Sequence, residues 1–309
     1  MTRFTLTMIA GPGLALAATM AWAAPEHFPT PDDAAAAVAG ALETQDATAL
    51  VAIFGTENRD VILTGNDGDD RETWRRFLDA YQTFHRVDPD GPDQATLTIG
   101  RDLWPFPAPL VKSAEGWSFD AAAAREEVRL RRIGENELDV IDLMHRYVHA
   151  QAVYRSENPA GDGVPAFADA ILSAGGKRDG LYWPPDPDAP DSPIGDFMAR
   201  AAASGYHLDG KDVPPEPYLG YYFRVLTRQG PAAPGGKLDY IVNGHMVAGH
   251  ALLAYPADYG ETGVMSFLVG EADRVYQADL GPDTLAVAAR IESFNPGKGW
   301  SPVTEEAGQ

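Results

Sequence analysis

Cysteine is absent from all 309 residues. That excludes disulfides, zinc–thiolate sites, thiol nucleophiles and lipid attachment at a processing-site cysteine. Positive charge is scarce: 24 Lys and Arg face 45 Asp and Glu, a formal net charge of −21 at pH 7. Such a field repels nucleic acid and anionic lipid, so neither is an expected partner; it suits a solvated chain and would attract cationic partners. Beyond the first two dozen residues no stretch approaches the roughly 20 apolar residues of a bilayer-spanning helix. Also missing are a GxSxG elbow, a Ser-x-x-Lys pair and an HExxH motif, so no serine nucleophile or zincin centre is indicated.

What is present begins with a leader-like segment. Arg3 supplies a short positive start, the apolar stretch 8–20 follows, and Ala21-Trp22-Ala23 fits the small-x-small rule. Cleavage is expected between Ala23 and Ala24, giving a periplasmic or secreted protein with no stable membrane span after removal. An exported chain without disulfides must be held by its core, and 45% hydrophobic residues provide one, over more than one domain.

The sequence is organised around 136–156, NELDVIDLMHRYVHAQAVYRS, which lacks Gly and Pro. Leu138, Ile141, Val148 and Ala152 recur at helical spacing, and Leu143, Met144, Tyr147 and Tyr154 widen the stripe. The pattern predicts one helix of roughly 30 Å, stopped at Asn158-Pro159. Ahead of it Asp120 caps a helix over 121–132, and Gly134 is expected to separate the two. Arg125, Arg129, Arg131 and Arg132 fall toward the end of that first helix, where cations suit the dipole.

Upstream, Thr30-Pro31-Asp32-Asp33 reads as a helix start before 34–42, and a second helix covers 46–54. Residues 58–63 are helical or extended. Asn66-Asp67-Gly68-Asp69-Asp70 lacks the spacing of an EF-hand loop, so Asp69 or Asp70 is expected to cap a third helix over 71–85. Strands are predicted at 95–100 and 116–120, with 104–109 extended by its prolines. Helices followed by an antiparallel sheet resemble an NTF2-like module, which implies a pocket between sheet and helices. Trp74, Tyr81, His85, Trp104 and Trp117 are its candidates, with Phe77, Phe106 and Phe119; these rings could line a pocket or fill it.

Downstream we expect a helix at 164–172, a turn at 175–180, a Pro/Asp-rich loop to 193, a helix at 194–204 and a Pro-rich loop at 211–217. Strands follow at 220–227, 251–255, 264–269 and 275–278, then a helix at 283–291 and a loose tail from 304. A long helix followed by GYYFRVL, ALLAYPADYGETGVMSFLV and VYQADLG resembles the globular part of pilins and pseudopilins. Here, however, the helix follows a hundred-residue domain and carries Glu137, Asp139, Asp142 and Arg146, unlike a filament-forming pilin helix. Taken whole, the chain resembles the DUF2950 family through PTPDDAAAAVAGAL, WPFPAPLV, GWSFDAAAAREEVRLRRIGENEL, GKRDGLYWP and YPADYGETGVMSF. That resemblance implies an exported protein and carries no assigned active site.

Histidines are the other candidates. His145 and His149 lie at i, i+4 on the central helix, but HRYVH lacks the zincin glutamate and a third ligand, so two histidines lodged between domains is the simpler reading. His245 and His250 would fall on opposite faces of a strand. No metal or cofactor is expected. The most site-like surface is polar and aromatic: Lys177, Arg178, Asp179, Tyr182 and Trp183 near one turn, with Tyr221, Tyr222 and Arg224 on a strand. The same residues could simply be strand-edge packing.

The expectation is therefore an α+β protein. Residues 1–23 are a signal peptide, 24–120 an NTF2-like module, 121–156 connecting helices, 157–303 a pilin-like module with a long helix packed on a second antiparallel sheet, and 304–309 a loose tail. The favoured role is non-enzymatic binding of a small molecule or an envelope protein. An enzyme with an acid–base site in the NTF2-like pocket, around His85, and a structural envelope component are the alternatives.

Overall fold

The computed structural model describes residues 24–63, 65–187, 190–195, 206–208, 211–213 and 215–304. The leader at 1–23 with the Ala23 side of its cleavage site, most of the helix expected at 194–204 and the end of the tail lie outside these residues. The fold is α+β, and the chain divides into two compact units, Met1–Val128 and Arg129–Gln309. Among the described residues no helix is long and apolar enough to cross a membrane.

The first unit opens with α1 (Pro31–Glu43), whose start is set by its own side chains. Thr30 Oγ1 accepts from the Asp33 amide at 3.1 Å, proline takes the first turn, and Asp32 and Asp33 sit at the positive end. Ala34, Val38, Ala41 and Leu42 are buried along one face. Asp46 caps α2 (Ala47–Phe54) by accepting from the Thr48 and Ala49 amides, and Gly55 ends it. A 3₁₀ turn, Thr56–Asn58, and the single turn α3 (Arg59–Ile62) lead to α4 (Asp67–Thr83). Asn66, not Asp69 or Asp70, caps α4, accepting from the Gly68 amide at 3.0 Å. The acids instead occupy the first turn, where the dipole favours them.

Five antiparallel strands complete this unit: β1 (His85–Pro89), β2 (Gln94–Ile99), β3 (Trp104–Pro105), β4 (Leu110–Ser113) and β5 (Gly116–Phe119). Their order is β1-β2-β4-β5, with β3 also paired to β2. His85 thus opens a strand rather than closing α4. β1 and β4 escape a hydropathy reading because HRVDP and LVKS show no clean alternation. Phe28 bridges to Trp117 through two 2.8 Å backbone hydrogen bonds. The approach requires Gly116: its φ is +128°, and a Cβ there would meet the Phe28 carbonyl at 2.6 Å.

The next helix, α5, runs unbroken over Ala121–Glu157, 37 residues. Gly134 does not interrupt it, since a glycine costs a helix interior only about 1 kcal/mol and its flanks are good helix formers. Asp120 Oδ1 accepts from the Ala123 amide at its start. Within the second unit α5 buries Val140, Met144, Tyr147 and Tyr154, while Leu138 is 69% exposed and Ala152 is also exposed. Of the rest of the predicted stripe, Ile141, Leu143 and Val148 are half-buried against the core, and the buried face also takes in Gln151, fully buried. Gln151 Nε2 donates to the Ala168 carbonyl and to Tyr147 Oη, and its Oε1 accepts from the Ala168 amide. Tyr147 in turn donates to the Ala251 carbonyl.

That amide clamp explains why 164–172 is not a helix: both backbone groups of Ala168 are already paired. The chain instead forms β6 (Ala170–Leu172), parallel to β7 (Gly180–Tyr182). β8 (Tyr206–Leu208) and β9 (Lys211–Val213) pair next, so residues 211–213 are strand, where a loop was expected. The main sheet is built of β10 (Tyr221–Leu226), with β11 (Arg228–Gln229), β12 (Leu238–Asp239), β13 (Ile241–Val242) and β14 (His245–Met246) as small ladders after it, then β15 (Ala251–Pro256), β16 (Met265–Gly270), β17 (Val275–Asp279) and β18 (Ser301–Pro302). Its order is β10-β15-β16-β17-β18, all antiparallel. Every residue of β15 is buried. Leu252 and Ala254 pack with Met144 and Tyr147 of α5. Ala251, Leu253 and Tyr255 pack on the other face with Phe167, Tyr240 and Ala288 of the last helix, Thr284–Ala289. Covered on both faces, the strand reads as an unbroken apolar run.

Four α5 side chains also hold the loop between β15 and β16. Arg129 Nη1 donates to the Gly260 carbonyl, and Arg132 Nη2 reaches the Glu261 carbonyl at 3.4 Å. Asn136 Nδ2 donates to the Thr262 carbonyl at 2.9 Å. Glu137 Oε1 accepts from the amides of Val264 and Met265 at 2.8 and 2.9 Å.

Candidate functional site

The first unit contains an apolar cavity of about 220 Å³. One wall is Leu42 of α1 with Leu50 and Phe54 of α2; the other is Trp74 and Phe77 of α4, with Phe106 closing one side. The space arises from how α4 packs. Trp74, Phe77, Leu78 and Tyr81 follow helical spacing, yet all are only half-buried, and Asp70 is the buried residue of this helix. The apolar face of α4 therefore does not close fully on the core beneath it.

The cavity floor is fixed by rings. Phe54 stacks on Phe119 with centroids 4.9 Å apart, Phe106 meets Phe119 edge-on at 5.7 Å, and Phe77 meets Phe106 edge-on at 5.4 Å. Asp70 is 7% exposed and lies where the cavity meets a polar depression of about 620 Å³. Leu63, Asp70 and Trp74 border both spaces, and Glu57, Arg59, Asp67 and Arg71 surround the outer one. An apolar chamber thus leads to a mouth carrying both signs of charge.

Of the ring residues predicted to line a pocket, Trp74, Phe77 and Phe106 do so. Tyr81 and His85 stack on each other at 3.9 Å, away from the cavity, with His85 Nδ1 2.9 Å from the Tyr81 carbonyl. Burial, then Asp32 and Glu43, push the Tyr81 phenol pKa up. Trp104 is 43% exposed, and Trp117 lies under Lys112, whose Nζ is 5.9 Å from the ring centre; neither borders the cavity. The wall residues from α1 and α2 went unrecognised because an apolar cavity wall and a filled core have the same composition.

The polar-aromatic residues of the second unit do not form one open surface. Trp183 and Tyr221 are buried; Trp183 Nε1 donates to the Pro190 carbonyl and Tyr221 Oη to the Met265 carbonyl. Arg224 Nη2 donates to the carbonyls of Ala288 and Ile291 at 2.5 and 2.6 Å, closing the end of the last helix. Asp179 accepts from the Ala174 amide and lies 3.7 Å from Lys177, while Arg178 lies 3.5 Å from Asp186. Tyr182 is half-buried against the core. These contacts stabilise a turn, a core and a helix end.

The histidines are likewise dispersed. His145 Nδ1 is 2.8 Å from Asp273, His149 is exposed on α5, and His245 Nδ1 is 3.3 Å from Asp162. His250 is 1% exposed. Among the described residues no group of three or more His, Asp or Glu is placed to hold a metal ion.

No curated protein and no solved structure matches the chain. A family model does, over residues 25–303, described as a protein of unknown function (DUF2950). A match across nearly the whole chain means that the protein belongs to the DUF2950 family.

Proposed function

We propose that the protein is an exported, non-enzymatic binding protein whose first unit takes up a small amphiphile. The observation that carries this reading is the open apolar cavity of about 220 Å³ beneath α4. An enclosed apolar void costs roughly 24 cal/mol per Å³, so one of this size would cost on the order of 5 kcal/mol if left empty. Its open mouth lowers that cost, and an apolar guest removes it. Engineered voids near 150 Å³ accept a benzene-sized guest, so this one suits a ring or short chain of about ten heavy atoms.

The adjoining mouth assigns the other half of the ligand. Arg59 and Arg71, interspersed with Glu57 and Asp67, favour a polar end that remains in contact with water. An acid–base enzyme centred on His85 draws no support from its position, since that ring is exposed and stacked on Tyr81 rather than facing the cavity.

The reading is tested by native mass spectrometry of protein purified without detergent, followed by titration of delipidated protein with decanoic acid and 1-decanol. Saturable quenching of tryptophan fluorescence is expected, because Trp74 borders both spaces. Ala108→Leu, at a buried wall position, should abolish uptake while leaving the circular dichroism spectrum intact. A bare mass with no saturable quenching would refute the proposal, as would unimpaired binding by the filled variant.

A further inference from the structure

The second unit contains an opening that plays no part in the amphiphile reading. A cleft of about 650 Å³ is bordered by Ala152 and Arg155 of α5, by Phe167, by His250 and by Glu271. Ser156 Oγ on this cleft is already spent on the Val153 carbonyl, which leaves Arg155, His250 and Glu271 as the groups of interest.

His250 is 1% exposed and sits edge-on between two rings, Tyr147 at 5.4 Å and Phe167 at 4.6 Å. Its Nδ1 is buried without a hydrogen-bond partner. Buried polar atoms are nearly always paired, so this shielded orphan sets His250 apart, and only an edge of the ring meets the cleft. Arg155 lies over Phe167, its guanidinium carbon 4.6 Å from the ring centre. Among the described residues it has no ion pair, in a chain with 45 acids. Glu271, on the cleft rim, is exposed and also makes no ion pair among the described residues.

We propose that this cleft binds a small zwitterion, a molecule carrying both a carboxylate and an ammonium, as free amino acids and short peptides do. Arg155 takes the carboxylate, for which the planar guanidinium fork is suited. Glu271 takes the ammonium. Phe167 and the edge of the His250 ring supply the floor of the cleft. Net charge decides between the ligand classes. A simple anion would meet a protein of charge −21 and then face Glu271, and a simple cation would face Arg155. A molecule of zero net charge escapes the long-range repulsion and satisfies both groups at close range.

The test is isothermal titration calorimetry on the intact chain with L-leucine, L-leucyl-L-leucine, N-acetyl-L-leucine and L-leucinamide. Saturable binding is expected for leucine or for the dipeptide, and which of them binds separates the amino-acid source from the peptide source. The two blocked forms should bind at least about tenfold more weakly. Arg155→Met should weaken the zwitterion by about tenfold or more. Glu271→Gln should selectively shrink the preference for leucine over N-acetyl-leucine, an effect that mere loss of structure would not produce. Ala108→Leu, in the other unit, should change none of this. Absence of saturable binding by both zwitterions, equal binding of blocked and free forms, or wild-type binding by Arg155→Met would each overturn the proposal.

Discussion

Lowering the pH should destabilise the second unit through one imidazole. Burial, reinforced by Arg155 and partly opposed by Asp273, pushes the His250 pKa from 6.5 down to about 4. The other charged group on its cleft is Glu271, exposed at the rim. A histidine whose folded-state pKa lies below its unfolded value is bound more strongly by protons in the unfolded chain. Its stabilising effect is complete above about pH 6.5 and is lost as the pH falls toward 4. Linkage between those two values gives a loss of about 1.4 kcal/mol at pH 5.5 and about 2.5 kcal/mol at pH 4.5, relative to pH 8. The perturbation is His250→Phe, which keeps a ring between Tyr147 and Phe167 and sacrifices no hydrogen bond, since Nδ1 makes none. The assay is urea unfolding at several pH values, read by pulsed hydrogen exchange on peptides from β15 and β16, so that the second unit is scored by itself. Any packing cost of the larger ring shifts the variant equally at all pH values. The wild-type curve should fall more steeply with acid, and the variant should lack the 2.5 kcal/mol component. Parallel curves for the two proteins would refute the assignment of a neutral, buried His250.

Four further outcomes are expected. Gln151→Leu removes the clamp on Ala168 and leaves two buried backbone groups unpaired, so urea unfolding should show a loss of about 2–4 kcal/mol in the second unit. Gly263→Ala would place a Cβ 2.0 Å from Tyr221 Oη, so the protein should lose at least about 2 kcal/mol, with faster exchange of the Met265 region. Arg224→Met removes two short hydrogen bonds to the carbonyls closing the last helix, and exchange protection of residues 284–291 should fall by about 1.5–3 kcal/mol. Asp46→Ala strips two amides at the start of α2 and should destabilise the first unit by about 1 kcal/mol, read as a lower melting temperature in a thermal scan.

Helix starts were the most legible features of the sequence, because a cap is a local device. Thr30 and Asp120 act as read, whereas Asp46, read as the first helical residue, and Asn66 proved to be caps. Buried strands were legible too: ALLAYP is apolar throughout, as a strand covered on both faces must be. Elements were missed where a distant group decides the outcome. Residues 164–172 have helical composition, but the Gln151 amide captures Ala168 from across the fold. The stripe of α5 was legible in Met144, Tyr147 and Tyr154, but Leu138 and Ala152 are exposed, and the buried Gln151 escaped because a hydropathy count treats it as outward-facing. The cavity shows a different limit. Trp74 was recognisable as an aromatic on a helical stripe, but whether such a ring borders space or fills it depends on how far α4 stands from α1 and α2. The cleft at His250 was invisible because its members, Arg155, Phe167, His250 and Glu271, come from separate stretches and form no motif.

The loop between β15 and β16 is held in an unusual manner for its sequence. The groups that Asn136 and Glu137 hold there, and the Gly260 carbonyl held by Arg129, belong to the main chain, while Arg132 also meets the Glu261 carboxylate at 3.5 Å. The helix therefore recognises the path of the loop and is indifferent to most of its letters. A substitution at exposed Asp258 should therefore cost little, whereas Glu261, paired with Arg132, and the tightly packed Gly263 are constrained. A single-residue insertion or deletion should not be tolerated, because it would carry each carbonyl past the helical side chain that awaits it. For an engineer grafting a new motif onto this protein, the segment is a cassette of fixed length in which Glu261, Thr262 and Gly263 should be kept.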